Sequence, residues 1–154
     1  MDIAIRRARG DEAEALTRVA HAAKRYWGYP EAYIQLWKDD LTVTPDFVER
    51  QAVFCAVQDT KILGFYALSG EGTTYELEHL WVEPEYIGTG IGAQLLAHAA
   101  RTSRAAGGTT LRIASDPHAE GFYRRMGARR VGEVASKPEG RTLPLLVLEL
   151  RTCK

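Results

Sequence analysis

The stretch from Tyr75 to Ala106 constrains the fold of this chain most, because its hydrophobic period changes at a run of glycines. Residues 75–82 alternate between two faces, with Glu76, Glu78, Leu80 and Val82 on one and Leu77, His79 and Trp81 on the other. A period of two is typical of a strand. Beyond the glycines, Ile91, Leu95 and Ala99 recur with helical spacing. The stretch therefore predicts a strand, a glycine loop and a helix, in that order.

The loop carries three glycines at alternate positions, Gly88, Gly90 and Gly92. Without Cβ atoms its backbone can adopt positive φ angles and turn consecutive N–H groups inward. The following helix adds about half a positive charge at its N-terminus, which suits a phosphate or pyrophosphate. The alternative is a turn that only reverses the chain. The spacing fits neither a nucleoside-triphosphatase loop nor a G-x-G-x-x-G dinucleotide loop.

Two segments of the chain resemble the GNAT superfamily of acyl-CoA-dependent N-acetyltransferases. The first is Leu80-Trp81-Val82 with Glu83-Pro84 and the loop from Ile87 to Gly92, where Ile87 replaces the family's usual Gln or Arg. The second runs from Asp116 to Ala128 and resembles the N-x-x-A-x-x-F-Y-x-x-x-G-F block, with Asp116 in place of the Asn. Two blocks in the family's order make the resemblance specific.

The resemblance implies one GNAT domain over residues 1–154. The fold it implies is α/β (α+β), with a mixed, mostly antiparallel sheet of about six to seven strands and helices on both faces. The strands at 75–82 and 109–114 would be a parallel pair that splays apart, so that the pantetheine arm lies in the gap. The residues implied to hold acetyl-CoA are Leu80, Trp81, Val82, Gly88, Thr89, Gly90, Ile91, Gly92, Ala93, Asp116 and Tyr123.

The implied chemistry is attack of a primary amine on the thioester of acetyl-CoA. An alkylammonium with a pKa of about 10.4 must first lose a proton, and the leaving thiolate must gain one. Tyr123 matches the family tyrosine that protonates the thiolate, although it could also be a packing residue. Glu76 and Glu78 are the candidate bases, and a water chain, desolvation or a purely solvated role for both carboxylates stays open.

Four aromatic residues are candidates for the acceptor pocket, because GNAT folds place two early helices beside the acceptor groove. They are Tyr26, Trp27, Tyr29 and Tyr33, at the end of a first helix and the start of a second that we predict over residues 31–41. Aromatic residues at helix ends also serve as core anchors. The acceptor would be a small-molecule or peptide amine.

Composition and residue spacing argue against several kinds of partner and site. Lys+Arg and Asp+Glu are both 20, so no net charge favours nucleic acid or an anionic membrane as a partner. Cys55 and Cys153 have no metal or disulfide pattern, which fits a reducing cytoplasm. No His/Cys/Asp/Glu spacing indicates a metal site. We expect a cytoplasmic N-acetyltransferase, a monomer or homodimer; the alternative is a non-catalytic acyl-CoA-binding sensor with the same fold.

Overall fold

The computed structural model describes residues 2–150 as a seven-stranded sheet with helices on both faces. The strands, in the order β1-β2-β3-β4-β5-β7-β6, are β1 Ala4–Arg7, β2 Ala52–Gln58, β3 Lys61–Glu71, β4 Thr74–Val82, β5 Thr110–Ala114, β6 Arg129–Ala135 and β7 Thr142–Glu149. The helices are α1 Ala13–Tyr26, α2 Glu31–Leu36, α3 Lys38–Leu41, α4 Pro45–Arg50, α5 Ile91–Ala105 and α6 Glu120–Arg125. No helix in these residues has the length and apolarity to cross a membrane. Cys153 lies outside the described residues.

The sheet separates two hydrophobic clusters. On one face, called the α5 face, Leu95, Leu96 and Ala99 of α5 pack on the sheet together with Tyr123 of α6. On the other, called the α1 face, the buried stripe of α1 and residues of α2 to α4 cover β2 and β3. The helical period predicted from Ile91, Leu95 and Ala99 is confirmed, because all three side chains are fully buried.

The predicted second helix over 31–41 is wrong in one respect: α2 and α3 are separate helices that meet at Trp37. Trp37 has φ −92° and ψ 6°, outside the helical range. Its ring is 4% exposed, and its Nε1 donates to the carbonyl of Lys137 at 3.0 Å. The indole is thereby anchored to a segment 100 residues away in sequence.

The parallel pair of strands splays apart, as the fold prediction expected. β4 pairs with β5 only from Thr74 to Glu76, against Thr110 to Arg112. β4 continues to Val82 and β5 to Ala114 without further pairing between them. The strands therefore leave a gap at their carboxyl ends, and the predicted mixed, mostly antiparallel sheet is confirmed.

A β-bulge corrects the predicted alternation of β4. Ala67 of β3 pairs with His79, but the adjacent Leu68 pairs with Leu77, so Glu78 is an extra residue on β4. Leu77 therefore packs on the α5 face with Leu80 and Val82, whereas Trp81 packs on the α1 face. The prediction that Leu77 shares a face with Trp81 is wrong, because an unpaired extra residue reverses the parity of a strand.

Candidate active site

A cavity of about 490 Å³ occupies the gap between β4 and β5. Its walls are β4 from Leu77 to Val82, the glycine loop, the beginning of α6, and Ala23 and Trp27 at the end of α1. The glycine loop leads into the α5 face, whereas Ala23 belongs to a helix of the α1 face. The cavity therefore passes through the sheet and connects its two faces.

The glycine loop presents main-chain N–H groups to the cavity. Gly88 and Gly90 have φ angles of 86° and 93°, which favour glycine, and a Cβ at either would meet nothing within 4 Å. Among residues 2–150, the N–H groups of Gly88 and of the four residues from Gly90 to Ala93 have no hydrogen-bond acceptor outside α5. The open surface, the free N–H groups and the helix N-terminus fit a pyrophosphate.

The members of the loop do not contribute in the same way. Gly92 is already inside α5, so the positive φ that the sequence allowed belongs to Gly88 and Gly90 alone. A Cβ at Gly92 would lie 3.5 Å from the Phe122 ring, which is ordinary contact. Ile91 is fully buried in the core, and neither it nor Thr89 is among the residues lining the cavity. The Ile91 side chain therefore faces the core, and the Thr89 hydroxyl donates to the main-chain carbonyl of Tyr86 at 2.5 Å.

Beyond the glycine loop, one edge of β4 borders the cavity. Its pairing with β5 ends at Glu76, so on that side Leu80, Trp81 and Val82 have no strand partner among the described residues. Such an edge can pair with an extended ligand as an added strand would.

Tyr123 of α6 reaches the cavity from the α5 face. Its side chain is 6% exposed, and its hydroxyl forms no hydrogen bond within residues 2–150. Since no buried side-chain polar atom in that range lacks a partner, this hydroxyl is open to the cavity. Burial, and then the negative charge of Asp116, raise the pKa of Tyr123 well above its ordinary value. The phenol thus stays protonated at neutral pH.

The two candidate carboxylates of β4 lie in different surroundings. Glu76 accepts a hydrogen bond from Arg112 of β5 at 2.6 Å and is not among the cavity-lining residues. Glu78, at the bulge, lines the cavity and accepts from the hydroxyl of Ser69 at 2.6 Å. Only Glu78 is placed to meet a ligand directly.

Of the four predicted acceptor-pocket aromatics, only Trp27 lines the cavity. Tyr26 is 53% exposed and packs its edge against Trp27. Tyr33 packs against Trp37. Tyr29 does not line the cavity, and its hydroxyl lies 3.1 Å from the carboxylate of Asp116. The structure therefore brings one of the four to the cavity and uses Tyr29 and Tyr33 in packing.

Asp116 is a cavity-lining residue whose carboxylate is turned toward α1. It accepts hydrogen bonds from Lys24, from the Tyr29 hydroxyl and from His118, whose main-chain N–H and Nδ1 both lie 2.9 Å from Oδ1. Burial alone would raise the pKa of Asp116, but the hydrogen bond and charge of Lys24 hold it below its ordinary value. The carboxylate is therefore ionised, and its partners occupy both oxygens.

Two cations around Asp116 escaped sequence reasoning, Lys24 and Arg141; His118 was expected beside the coenzyme, and the structure places it in contact with Asp116. The Lys24 ammonium lies 4.5 Å from the Trp37 ring centre and 4.9 Å from that of Tyr29, and burial lowers its pKa. Arg141 donates to the Tyr29 hydroxyl at 3.1 Å. The sequence contained one indication that Lys24 is buried, because it follows Leu16 and Ala20 at intervals of four on the buried stripe of α1.

No group of three or more His, Cys, Asp or Glu side chains within the described ranges could hold a metal ion. Residues 18–144 match the family model described as "Acetyltransferase (GNAT) domain".

Curated relatives match the chain along nearly its whole length. The peptidyl-lysine N-acetyltransferase YjaB of Salmonella typhimurium is 31% identical, with 96% of this chain and 98% of that protein covered. YjaB of Escherichia coli is 29% identical, with 96% and 97% covered. Among solved structures, the PaiA N-acetyltransferase of Thermoplasma acidophilum, in complex with coenzyme A, has a TM-score of 0.77 at 23% identity. That alignment covers 97% of this chain and 99% of PaiA, and it shows the shared fold.

Proposed function

The chain belongs to the GNAT acetyltransferase family, and from that premise we propose that it transfers an acetyl group from acetyl-CoA to a primary amine. The acceptor class we propose is the side-chain amine of a peptide lysine, because two curated relatives that match nearly the whole chain are peptidyl-lysine N-acetyltransferases. The reaction would take place in the cytoplasm.

The open loop at Gly88 and Gly90 would hold the pyrophosphate of acetyl-CoA. Its free N–H groups and the N-terminus of α5 supply positive potential where two phosphates need it. The pantetheine arm would pair with the free edge of β4 from Leu80 to Val82. This arrangement leads the thioester into the gap between β4 and β5, toward Tyr123.

Tyr123 would protonate the departing thiolate. Its hydroxyl faces the cavity and has no hydrogen-bond partner among the described residues. Because burial raises its pKa, it holds its proton until a strong base such as a thiolate forms beside it. This free hydroxyl, open to the cavity on an otherwise buried side chain, is the observation that carries the proposal, since a sensor that only binds acyl-CoA has no use for it.

Glu78 would receive the ammonium of the acceptor. It lines the cavity at the bulge, whereas Glu76 is committed to Arg112. A carboxylate at that point favours a cationic acceptor and draws its nitrogen toward the gap between the strands.

The test has two measurements. Thermal unfolding with coenzyme A, ATP or NAD should show stabilisation by coenzyme A alone, by about 2.7 kcal/mol at a hundredfold excess over its dissociation constant. Acetyl-CoA mixed with a lysine-containing peptide should then release free thiol only when the protein is present. Stabilisation without thiol release would identify the sensor instead, and stabilisation by ATP or NAD would overturn the site assignment.

A further inference from the structure

The turn between β5 and α6 holds an imidazole that the proposed chemistry has not used. His118 lies in the 3-10 turn Pro117–Ala119, lines the cavity, and has a side chain that is 42% exposed. The Trp27 ring stacks on it with ring centres 5.0 Å apart and planes at 7°. The Tyr29 ring contacts the His118 ring edge-on, with ring centres 5.3 Å apart. The ring is therefore fixed in position although it is open to solvent.

The contacts of this imidazole determine which nitrogen is free. Nδ1 is 2.9 Å from Oδ1 of Asp116, which is ionised and can only accept. Nδ1 therefore carries the proton, and the lone pair of the neutral ring is on Nε2. A carboxylate that orients an imidazole in this way also stabilises the imidazolium that forms when Nε2 takes a proton.

The remaining charges around the imidazole support this arrangement. Asp116 faces it from its own turn, Lys24 contacts Asp116 from α1, and Arg141 contacts Tyr29 from the loop before β7. Lys24 keeps the carboxylate ionised, so the orienting hydrogen bond persists at neutral pH. Its stack on Trp27 also places His118 at the end of α1, on the side from which an acceptor enters if acetyl-CoA occupies the α5 side.

From these contacts we propose that His118, oriented by Asp116, is the general base that deprotonates the acceptor amine. The inference rests on the proposed acetyl transfer. Nε2 removes one proton from the ammonium, and the free amine attacks the thioester carbonyl carbon. The C–S bond breaks, and the sulfur takes the Tyr123 proton. The second proton of the attacking nitrogen restores Tyr123, and the imidazolium returns its proton to water. Glu78 then binds the ammonium but is not the base.

The test is the His118→Ala variant with a lysine peptide as acceptor. We expect kcat/KM to fall by about a hundredfold or more at neutral pH, within the usual range for a positioned base. The acidic limb of the pH profile of kcat/KM should disappear, because that limb reports the essential base of the free enzyme. Coenzyme A affinity should change less than threefold. Added imidazole should restore at least a tenth of the lost rate, since the space between Trp27 and Asp116 is vacated.

Two further variants separate the base from other roles. Glu78→Gln should raise KM for the peptide but keep the acidic limb. His21→Gln, which alters a histidine of α1 outside the cavity, should leave rate and profile unchanged. Suppose that the parent protein transfers acetyl groups but the His118→Ala variant keeps the acidic limb of the pH profile, or is not rescued by added imidazole. That result would overturn this inference alone. A parent that stays inactive would overturn the proposed function and the inference with it.

Discussion

The two ends of the cavity are lined by different chemical groups, main-chain N–H groups at one end and side chains at the other. At the α5 end, consecutive residues from Gly88 to Ala93 offer main-chain N–H groups, so the site is local in sequence. At the α1 end, side chains from distant segments converge: Lys24 and Asp116 are 92 residues apart, and Tyr29 and Arg141 are 112 apart. Changes at the first end should act through backbone conformation, whereas changes at the second should act through charge and burial.

Tyr123 lies between the two ends, and its removal should separate binding from chemistry most clearly. Tyr123→Phe removes one hydroxyl and keeps the ring beside Phe122. We expect kcat to fall by about two to four orders of magnitude, because the variant lacks the proposed general acid. The dissociation constant of coenzyme A, measured by calorimetry, should stay within a few-fold.

A second acyl donor provides the control for this variant. A thioester with a more acidic leaving thiol needs less protonation, so it should restore activity in Tyr123→Phe more than in the parent. Equal recovery in both proteins would assign the hydroxyl to orientation or packing.

The α1 face should make stability depend on pH through His79. This residue packs against Phe65 and Phe47, its Nδ1 accepts from the Trp81 indole at 2.9 Å, and burial lowers its pKa to about 4. Below pH 6.5 His79 binds a proton in the unfolded chain, whereas in the folded protein it stays neutral down to about pH 4. The free energy of unfolding should therefore fall by about 3 kcal/mol between pH 6.5 and pH 4 from this group, and then level off.

Urea unfolding at several pH values, for the parent and for His79→Gln, measures this contribution. The difference between the two proteins should shrink steadily as the pH falls from 6.5 to 4. A difference that is constant across this range would mean that His79 is protonated in the folded state.

The α5 end should respond to backbone geometry and hardly to side-chain volume. Gly90→Val places a β-branched residue at φ 93° with open space around it, so the penalty is conformational. We expect the coenzyme A dissociation constant to rise about tenfold or more, with the far-UV spectrum unchanged. Calorimetric titration of the variant measures this change directly.

Gly92→Ala is the matched control, since Gly92 is helical and a Cβ there makes ordinary contact with Phe122. Its affinity for coenzyme A should change by less than threefold. Equal losses in both variants would mean that volume at the loop matters and positive φ does not.

Local patterns were sufficient where the structure depends on neighbours in sequence. The strand, loop and helix from Tyr75 onward and the buried stripe of α5 are confirmed, because period and glycine spacing express local backbone preferences. The splayed pair, which the family resemblance implied, is confirmed as well. The alternation failed at Glu78, since a bulge arises from pairing with β3 and leaves no sign in β4 itself. The helix over 31–41 failed at Trp37 for a similar reason, because a distant carbonyl anchors its indole.

The sequence by itself determined the sheet-and-helix framework, the family and the glycine loop before α5, since each depends on short-range spacing and on glycine's freedom in φ. Only the tertiary structure decided which groups meet at the α1 end of the cavity. It paired Glu76 with Arg112, left Glu78 facing the cavity, and enclosed Lys24 with Asp116 behind His118. Those outcomes depend on distance and desolvation between remote segments, and the charge of a side chain gives no indication of either until the chain is folded.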